Sequence, residues 1–239
     1  MRLDKLLANS GIGSRKEVKK IVKAGAVSID GKQAKDVKTH VDPSEHEVTV
    51  YGEPIEYREF IYLMMNKPQG VLSATEDSRQ KTVIDLLAPD DMRFEPFPAG
   101  RLDKDTVGLL LLTNDGQLAH RLLSPKKHVP KTYEVHLRSG LSEEDIANLE
   151  SGVFIEGGYK TKPAKVETIA NSEEHTEIRL TITEGKYHQV KQMAKAVGNE
   201  VIFLKRLSMG GLLLDPSLEP GEYRELTEEE LNGLNDTQT

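Results

Sequence analysis

Near the start of the chain the apolar positions recur at helical spacing. Leu3, Leu6 and Leu7 lie at i, i+3 and i+4, and the stripe stops at Gly11 and Gly13. A second helix is predicted from Ser14. Ser14 and Glu17 form an S-x-x-E capping box, Val18, Ile21 and Val22 make the buried stripe, and Gly25 stands where a C-terminal cap belongs. Val27 and Ile29, the Asp30-Gly31 pair, and the alternating Val48 and Val50 then read as short strands and turns. Asp42-Pro43-Ser44 and Gly52-Glu53-Pro54 punctuate residues 42–58 and place a linker there. From Phe60 onward the stretches FIYLMMNKP, GLLLLT, KTYEVHL, KVETIA and EIRLTIT are strand-like. Helices are predicted at Val83–Leu87, Gln117–Leu123, Ser142–Ser151 and Tyr187–Val197. The pattern is α+β with mostly antiparallel pairing. It divides the chain into a small domain with its linker (1–58), a larger domain (59–230) and an acidic tail (231–239), with the last fifteen residues expected to fray.

Charge sharpens this division. The net charge of -7 averages two unlike regions. Residues 1–40 carry ten Lys+Arg against four acids, a balance of +6, and the rest of the chain has a balance of -13. On the second helix Arg15, Lys16, Lys19, Lys20 and Lys23 gather on the side away from the valine stripe. That surface fits a nucleic-acid-binding module, and it fits equally well a solvated charged helix.

Composition removes whole classes of chemistry. The chain of 239 residues has no Cys, which excludes disulfides, thiolate metal sites, iron-sulfur clusters and cysteine nucleophiles and fits a reducing, cytoplasmic setting. The start, MRLDKLLANS, is too polar for a signal peptide, and no apolar run approaches the roughly 18 residues that span a bilayer, so no membrane partner is expected. There is no GxxxxGK[ST] loop, no G-x-S-x-G elbow and no HExxH, and the seven histidines lack metal-ligand spacing. No cofactor and no metal are expected, and nothing demands more than a monomer.

One polar cluster stands out from a pure packing pattern. Gly100-Arg101-Leu102-Asp103 precedes Thr106 and the apolar run Gly108 to Leu112, placing a guanidinium and a carboxylate where a loop enters a buried strand. Loop-to-strand junctions often hold active residues. The same spacing also suits an Asx-turn made by Asp103. Further on, Val190, Met193 and Val197 form a buried stripe, while His188, Lys191 and Lys195 share another face.

RLDKLLANSGIGSRKEVKKIVKAGAVSIDGK resembles the small alpha-L RNA-binding module first named from ribosomal protein S-four. GRLDKDTVGLLLLT closely resembles the aspartate motif of the pseudouridine synthases, in the RsuA family that modifies ribosomal RNA. NKPQGVLSA is similar to that family's first motif, KTYEV to its tyrosine strand, and EGKYHQVKQMAKAVG to the helix carrying its basic partner. Four motifs in family order behind the family's usual RNA-binding head cover nearly the whole chain. The resemblance implies an alpha-L domain followed by a synthase domain built on a mixed, mainly antiparallel sheet.

It also implies the chemistry. Asp103 would be the essential carboxylate, acting as nucleophile at the ribose or as base at C2′, and Lys191 the cation that keeps it ionised. Tyr133 would stack on the uracil, although on its own merits it also suits a core-packed strand aromatic. Arg101 would fill the gap left by a flipped base, unless it is a surface arginine paired with Asp105. Arg15, Lys16, Lys19 and Lys20 in the head, and Lys131, His188, Gln189 and Leu204 in the second domain, are implied contacts to RNA or the target base; His188 alone reads more simply as a structural histidine. No cofactor is implied. Within the family, YHQVKQM and LSMGGLLLD followed by LEPGEYRELTEEE look more like the enzymes of small-subunit (16S) rRNA, so that RNA or its assembly particle is the expected partner. Gln192 departs from the basic residue common at its position. A large-subunit rRNA enzyme and a non-catalytic ribosome-assembly protein are the alternatives.

Overall fold

The computed structural model describes residues 1–55 and 57–235. They form two compact units. One comprises Met1–Ile61 together with Leu87–Pro96, and the other comprises Tyr62–Leu86 and the chain from Phe97 onward. The sequence reading ran the second domain through 59–230 without a break. In the structure the segment Leu87–Pro96, with its short helix α3 (Pro89–Met92), clusters with the first unit instead.

The first unit holds α1 (Leu3–Asn9), α2 (Arg15–Lys23) and the short strands β1 (Val27–Ile29), β2 (Lys32–Gln33), β3 (Val48–Val50) and β4 (Glu53–Pro54). Its sheet is antiparallel in the order β2-β1-β3-β4. The capping box forms as expected: the Ser14 hydroxyl accepts from the Glu17 N–H, and the Glu17 carboxylate accepts from the Ser14 N–H at 2.8 Å. Leu3, Leu6 and Leu7 meet Val18, Val22, Val27, Val48 and Val50 in one core. The stretch expected to be a linker therefore contains two strands of this sheet. With the valines turned inward, Arg15, Lys16, Lys19, Lys20 and Lys23 are all exposed, and among the described residues none of the five is in a salt bridge.

The second unit is built on one large sheet. Its strands are β5 (Tyr62–Lys67), β6 (Phe97–Pro98), β7 (Val107–Thr113), β8 (Lys131–Leu137), β11 (Lys165–Asn171), β12 (Thr176–Ile182), β13 (Val201–Met209), β14 (Leu212–Leu213) and β15 (Tyr223–Glu225). The main path runs β11-β12-β8-β13-β7-β5-β15, with β14 on β13 and β6 on β7. Its pairings are antiparallel except that of β13 with β7. At this parallel contact Gly108 has φ +98°, and a Cβ there would run into the Arg206 backbone. Between the strands lie α4 (Gly116–Leu123), α5 (Glu143–Ser151), the hairpin β9 (Phe154–Ile155) and β10 (Tyr159–Lys160) and α6 (Gln189–Ala196), and α7 (Glu228–Asn235) follows β15.

The apolar run of β7 is explained by burial on both faces. Leu109 and Leu111 pack with Leu118, Ala119 and Leu122 of α4 and with Met64, Met209 and Leu212. Leu234 of α7 joins the same cluster and is only 2% exposed. The acidic end is thus a docked helix as far as Asn235 rather than a fraying tail; residues 236–239 of that expected tail lie outside the described residues. Arg224 holds the helix by pairing with Glu230 at 2.7 Å and with Asp215 at 2.6 Å. The helix expected at Val83–Leu87 is a single 3-10 turn, Ile84–Leu86. Among the described residues no helix is long and apolar enough to cross a membrane.

Candidate active site

The loop carrying Asp103 is held from behind by the segment NKPQGVLSA. Lys67 is fully buried, and its ammonium donates to the carbonyls of Thr106 (2.9 Å), Pro68 (3.1 Å) and Lys104 (3.4 Å). The Gly70 N–H donates to Lys104 O at 2.8 Å. The buried Ser73 hydroxyl donates to Leu102 O and accepts from the Leu102 N–H. These bonds fix the backbone on both sides of Asp103. The sequence reading missed the roles of Lys67 and Ser73. A lysine ending an apolar strand was the available signal, because a buried ammonium has to find acceptors.

With its backbone fixed, Asp103 turns its carboxylate toward α6. Lys191 Nζ donates to Asp103 Oδ2 at 2.9 Å and to Asp105 Oδ1 at 2.6 Å. His188 Nε2 lies 3.4 Å from Asp103 Oδ1. The Asx-turn alternative is thereby set aside: the side chain bonds across 88 residues rather than to its own turn. Burial works against the Lys191 ammonium, but the two carboxylates more than offset it and raise its pKa above that of an ordinary lysine. Burial would likewise favour the neutral form of Asp105, and Lys191 outweighs it, holding that carboxyl below the usual range.

Asp103, 28% exposed at its side chain, opens into a cavity of about 100 Å³. Tyr133, Leu204 and Val190 line it together with Arg101 and Lys191. Tyr133 is nearly buried, so its ring forms a wall of the cavity and also packs in the core. Leu204 is buried and Arg101 exposed. Asp105 pairs with Lys191, and among the described residues it has no ion pair with Arg101, contrary to the surface-pair alternative.

Two expected RNA contacts are buried and engaged by the protein itself, although Gln189 still lines the cavity. The Lys131 ammonium is buried and donates to Val129 O at 2.9 Å, and burial, helped by the nearby Arg206, lowers its pKa to about 8. Gln189 is buried with its amide engaged, donating to Glu184 Oε1 at 2.7 Å and accepting from the Lys186 N–H at 2.8 Å. Burial favours a neutral Glu184, yet donors from Tyr159, Lys162 and Gln189 together hold its pKa low. This network orders the turn before α6. That helix begins at Gln189 rather than at Tyr187, because His188 has φ +48°. Val197 caps the helix half-buried, so its buried stripe is Val190, Met193 and Ala194. Away from the cavity, on the other face of β8 from Tyr133, Glu134, His136 and Glu177 gather within metal-binding distance, with His136 Nε2 already 3.0 Å from Glu134 Oε1.

Lys67 makes this construction testable by pH. Burial lowers its pKa from 10.5 to about 8, against the pull of Asp105 and Asp103. Between these values the unfolded chain holds a proton that the folded chain has released, so folding stability rises with pH across that window. In Lys67→Met, urea unfolding should show a smaller gain from pH 8 to pH 10 than the wild type shows. Turnover should also fall by about tenfold or more as the Asp103 loop relaxes.

Comparisons with known proteins agree with this geometry. The family model for RNA pseudouridylate synthase matches residues 61–196, and the S4 domain model matches residues 1–46. The chain is 80% identical over its whole length to an RNA pseudouridine synthase of Bacillus subtilis (strain 168), covering all of that protein. It is 42% identical to ribosomal small subunit pseudouridine synthase A of Escherichia coli (strain K12), over 97% of this chain and 98% of that one. A crystal structure of a pseudouridylate synthase superposes with a TM-score of 0.68 at 39% identity, covering 98% of this chain and 99% of the other. With an RNA-binding S4 domain in front of a matching synthase domain, the chain belongs to the RNA pseudouridine synthase family, whose members are isomerases.

Proposed function

We propose that this protein converts one uridine of small-subunit (16S) ribosomal RNA to pseudouridine, with Asp103 as the essential carboxylate. The observation that carries the reading is the Asp103–Lys191 pair at the mouth of a small cavity walled by Tyr133 and Leu204. A cavity of about 150 Å³ accepts a single benzene ring. This one is smaller, about 100 Å³, but opens outward, and it has room for at most a single base. The target base therefore leaves the RNA stack to reach Asp103, and exposed Arg101 at the rim takes the vacated position.

The reaction is an internal exchange of bonds. The C1′–N1 bond breaks, the base turns in the cavity, and C5 bonds to C1′; the C5 proton is lost and N1 gains one, so no atom is added overall. Asp103 either attacks C1′ and is later displaced by C5, or removes the C2′ proton and returns it. In both courses it acts as an anion, which the Lys191 ammonium compensates. The match to the small-subunit enzyme of Escherichia coli favours 16S rRNA.

The exposed cations of α2 would dock the RNA. Replacing Lys16, Lys19 and Lys20 with Gln together should weaken RNA binding and reduce the salt slope by up to about three ions. A filter-binding titration at several salt concentrations measures both. For the reaction itself, wild-type protein is incubated with unmodified 16S or 23S rRNA tritiated at uridine C5. Tritium release from 16S alone supports the proposal; release from 23S alone retains the chemistry and changes the substrate; release from neither leaves RNA binding without catalysis.

A further inference from the structure

Tyr187 is a large aromatic side chain left 76% exposed beside the site. Its ring stacks on His188, with centroids 3.8 Å apart and planes 20° apart, and His188 Nε2 in turn lies 3.4 Å from Asp103 Oδ1. The two rings form a short pile running from the carboxylate to solvent, its outer face uncovered. Its backbone is fixed. His188 has the positive φ of +48°, and Gln192 bonds both the Tyr187 carbonyl, as donor at 2.7 Å, and the Glu156 N–H, as acceptor at 2.8 Å. A lysine or arginine at position 192 could not accept the second bond. Glutamine there thus ties the turn to the β9–β10 side of the domain. Lys186, next in the chain to Tyr187, lies with Nζ 4.3 Å from the Tyr159 ring centroid, and Lys195 is exposed on α6.

From this arrangement we infer that Tyr187 is a stacking platform for the nucleotide next to the target uridine. The inference rests on the reading of the site as one that takes a flipped uridine from RNA. Removing a base from a strand leaves its neighbours with an uncovered face, and single-stranded nucleotides gain affinity by stacking on exposed aromatic rings. An exposed ring stacked on His188, which lines the cavity, supplies such a face at little entropic cost, since its backbone is already ordered.

A cycle of paired changes tests the contact. Tyr187→Ala and Tyr187→Phe are compared with wild type on an RNA fragment spanning the modified uridine, either intact or with an abasic nucleotide 5′ or 3′ of it. Affinity and single-turnover product are read together. For one of the two neighbours, the abasic change should weaken wild-type binding by about tenfold. Tyr187→Ala should weaken binding of intact RNA by a similar factor and lose nothing further on the abasic RNA, while Tyr187→Phe should behave as wild type. Losses that multiply independently at both neighbours, or Tyr187→Ala matching wild type on intact RNA, would overturn the platform while product formation kept the isomerase reading intact. Wild-type protein that forms no product in any ribosomal RNA would remove that reading and the platform with it.

Discussion

Asp103→Asn lowers turnover by at least about 10⁴-fold and leaves RNA affinity within a few-fold. The substitution keeps the shape of the side chain and can still face Lys191, but it removes the negative charge and, with it, the oxygen we propose as nucleophile or base. The loop should hold its position, since its anchors are the Lys67 ammonium, the Gly70 N–H and the Ser73 hydroxyl on backbone atoms rather than the Asp103 carboxylate. Binding should survive for the same reason. Single-turnover product formation and filter binding on one RNA preparation separate the two effects. A parallel fall in both would mean that Asp103 serves mainly in docking.

Lys191→Met carries the second largest effect, a loss of about 100-fold at neutral pH with a shift in the pH profile. Lys191 is shared by Asp103 and Asp105, at 2.9 and 2.6 Å. Without it two carboxylates face each other with no lysine between them, and His188 at 3.4 Å compensates only when protonated. Lys191 holds the Asp105 carboxyl below its usual range, and its loss raises that pKa, so the acidic limb of kcat should move to higher pH. Lys191→Arg keeps the charge and should retain activity within several-fold and the original limb. An unshifted limb in Lys191→Met would mean that the lysine acts only through RNA contact.

Much of this was legible where local rules suffice. The Ser14–Glu17 capping box marks a helix start that tertiary packing does not override, and the helix read from Ser142 opens on a box of the same kind with Asp145. KTYEVHL alternates at the strand period, and β8 occupies those same residues. The longest strand, β13, was not read. Ile202 and Phe203 are neighbours and both exposed, and bulges between Val201 and Phe203 and between Arg206 and Ser208 break the period of two. The docking of α7 depended on Leu231 and Leu234 meeting a core assembled from distant strands, which an acidic composition conceals. At the site, the motifs selected Asp103, Tyr133 and Lys191. Nothing local could state that the Lys131 ammonium and the Gln189 amide are buried on protein acceptors and donors, because their directions are set by packing against distant segments.

The most direct test of the central claim is carbodiimide mapping of pseudouridine on unmodified 16S and 23S rRNA, free and as assembly particles, after incubation with wild-type protein or Asp103→Asn. The account predicts a single new reverse-transcription stop on 16S rRNA with wild-type protein and none with the variant. The same stop with both proteins, or no stop on any RNA with wild-type protein, would contradict it.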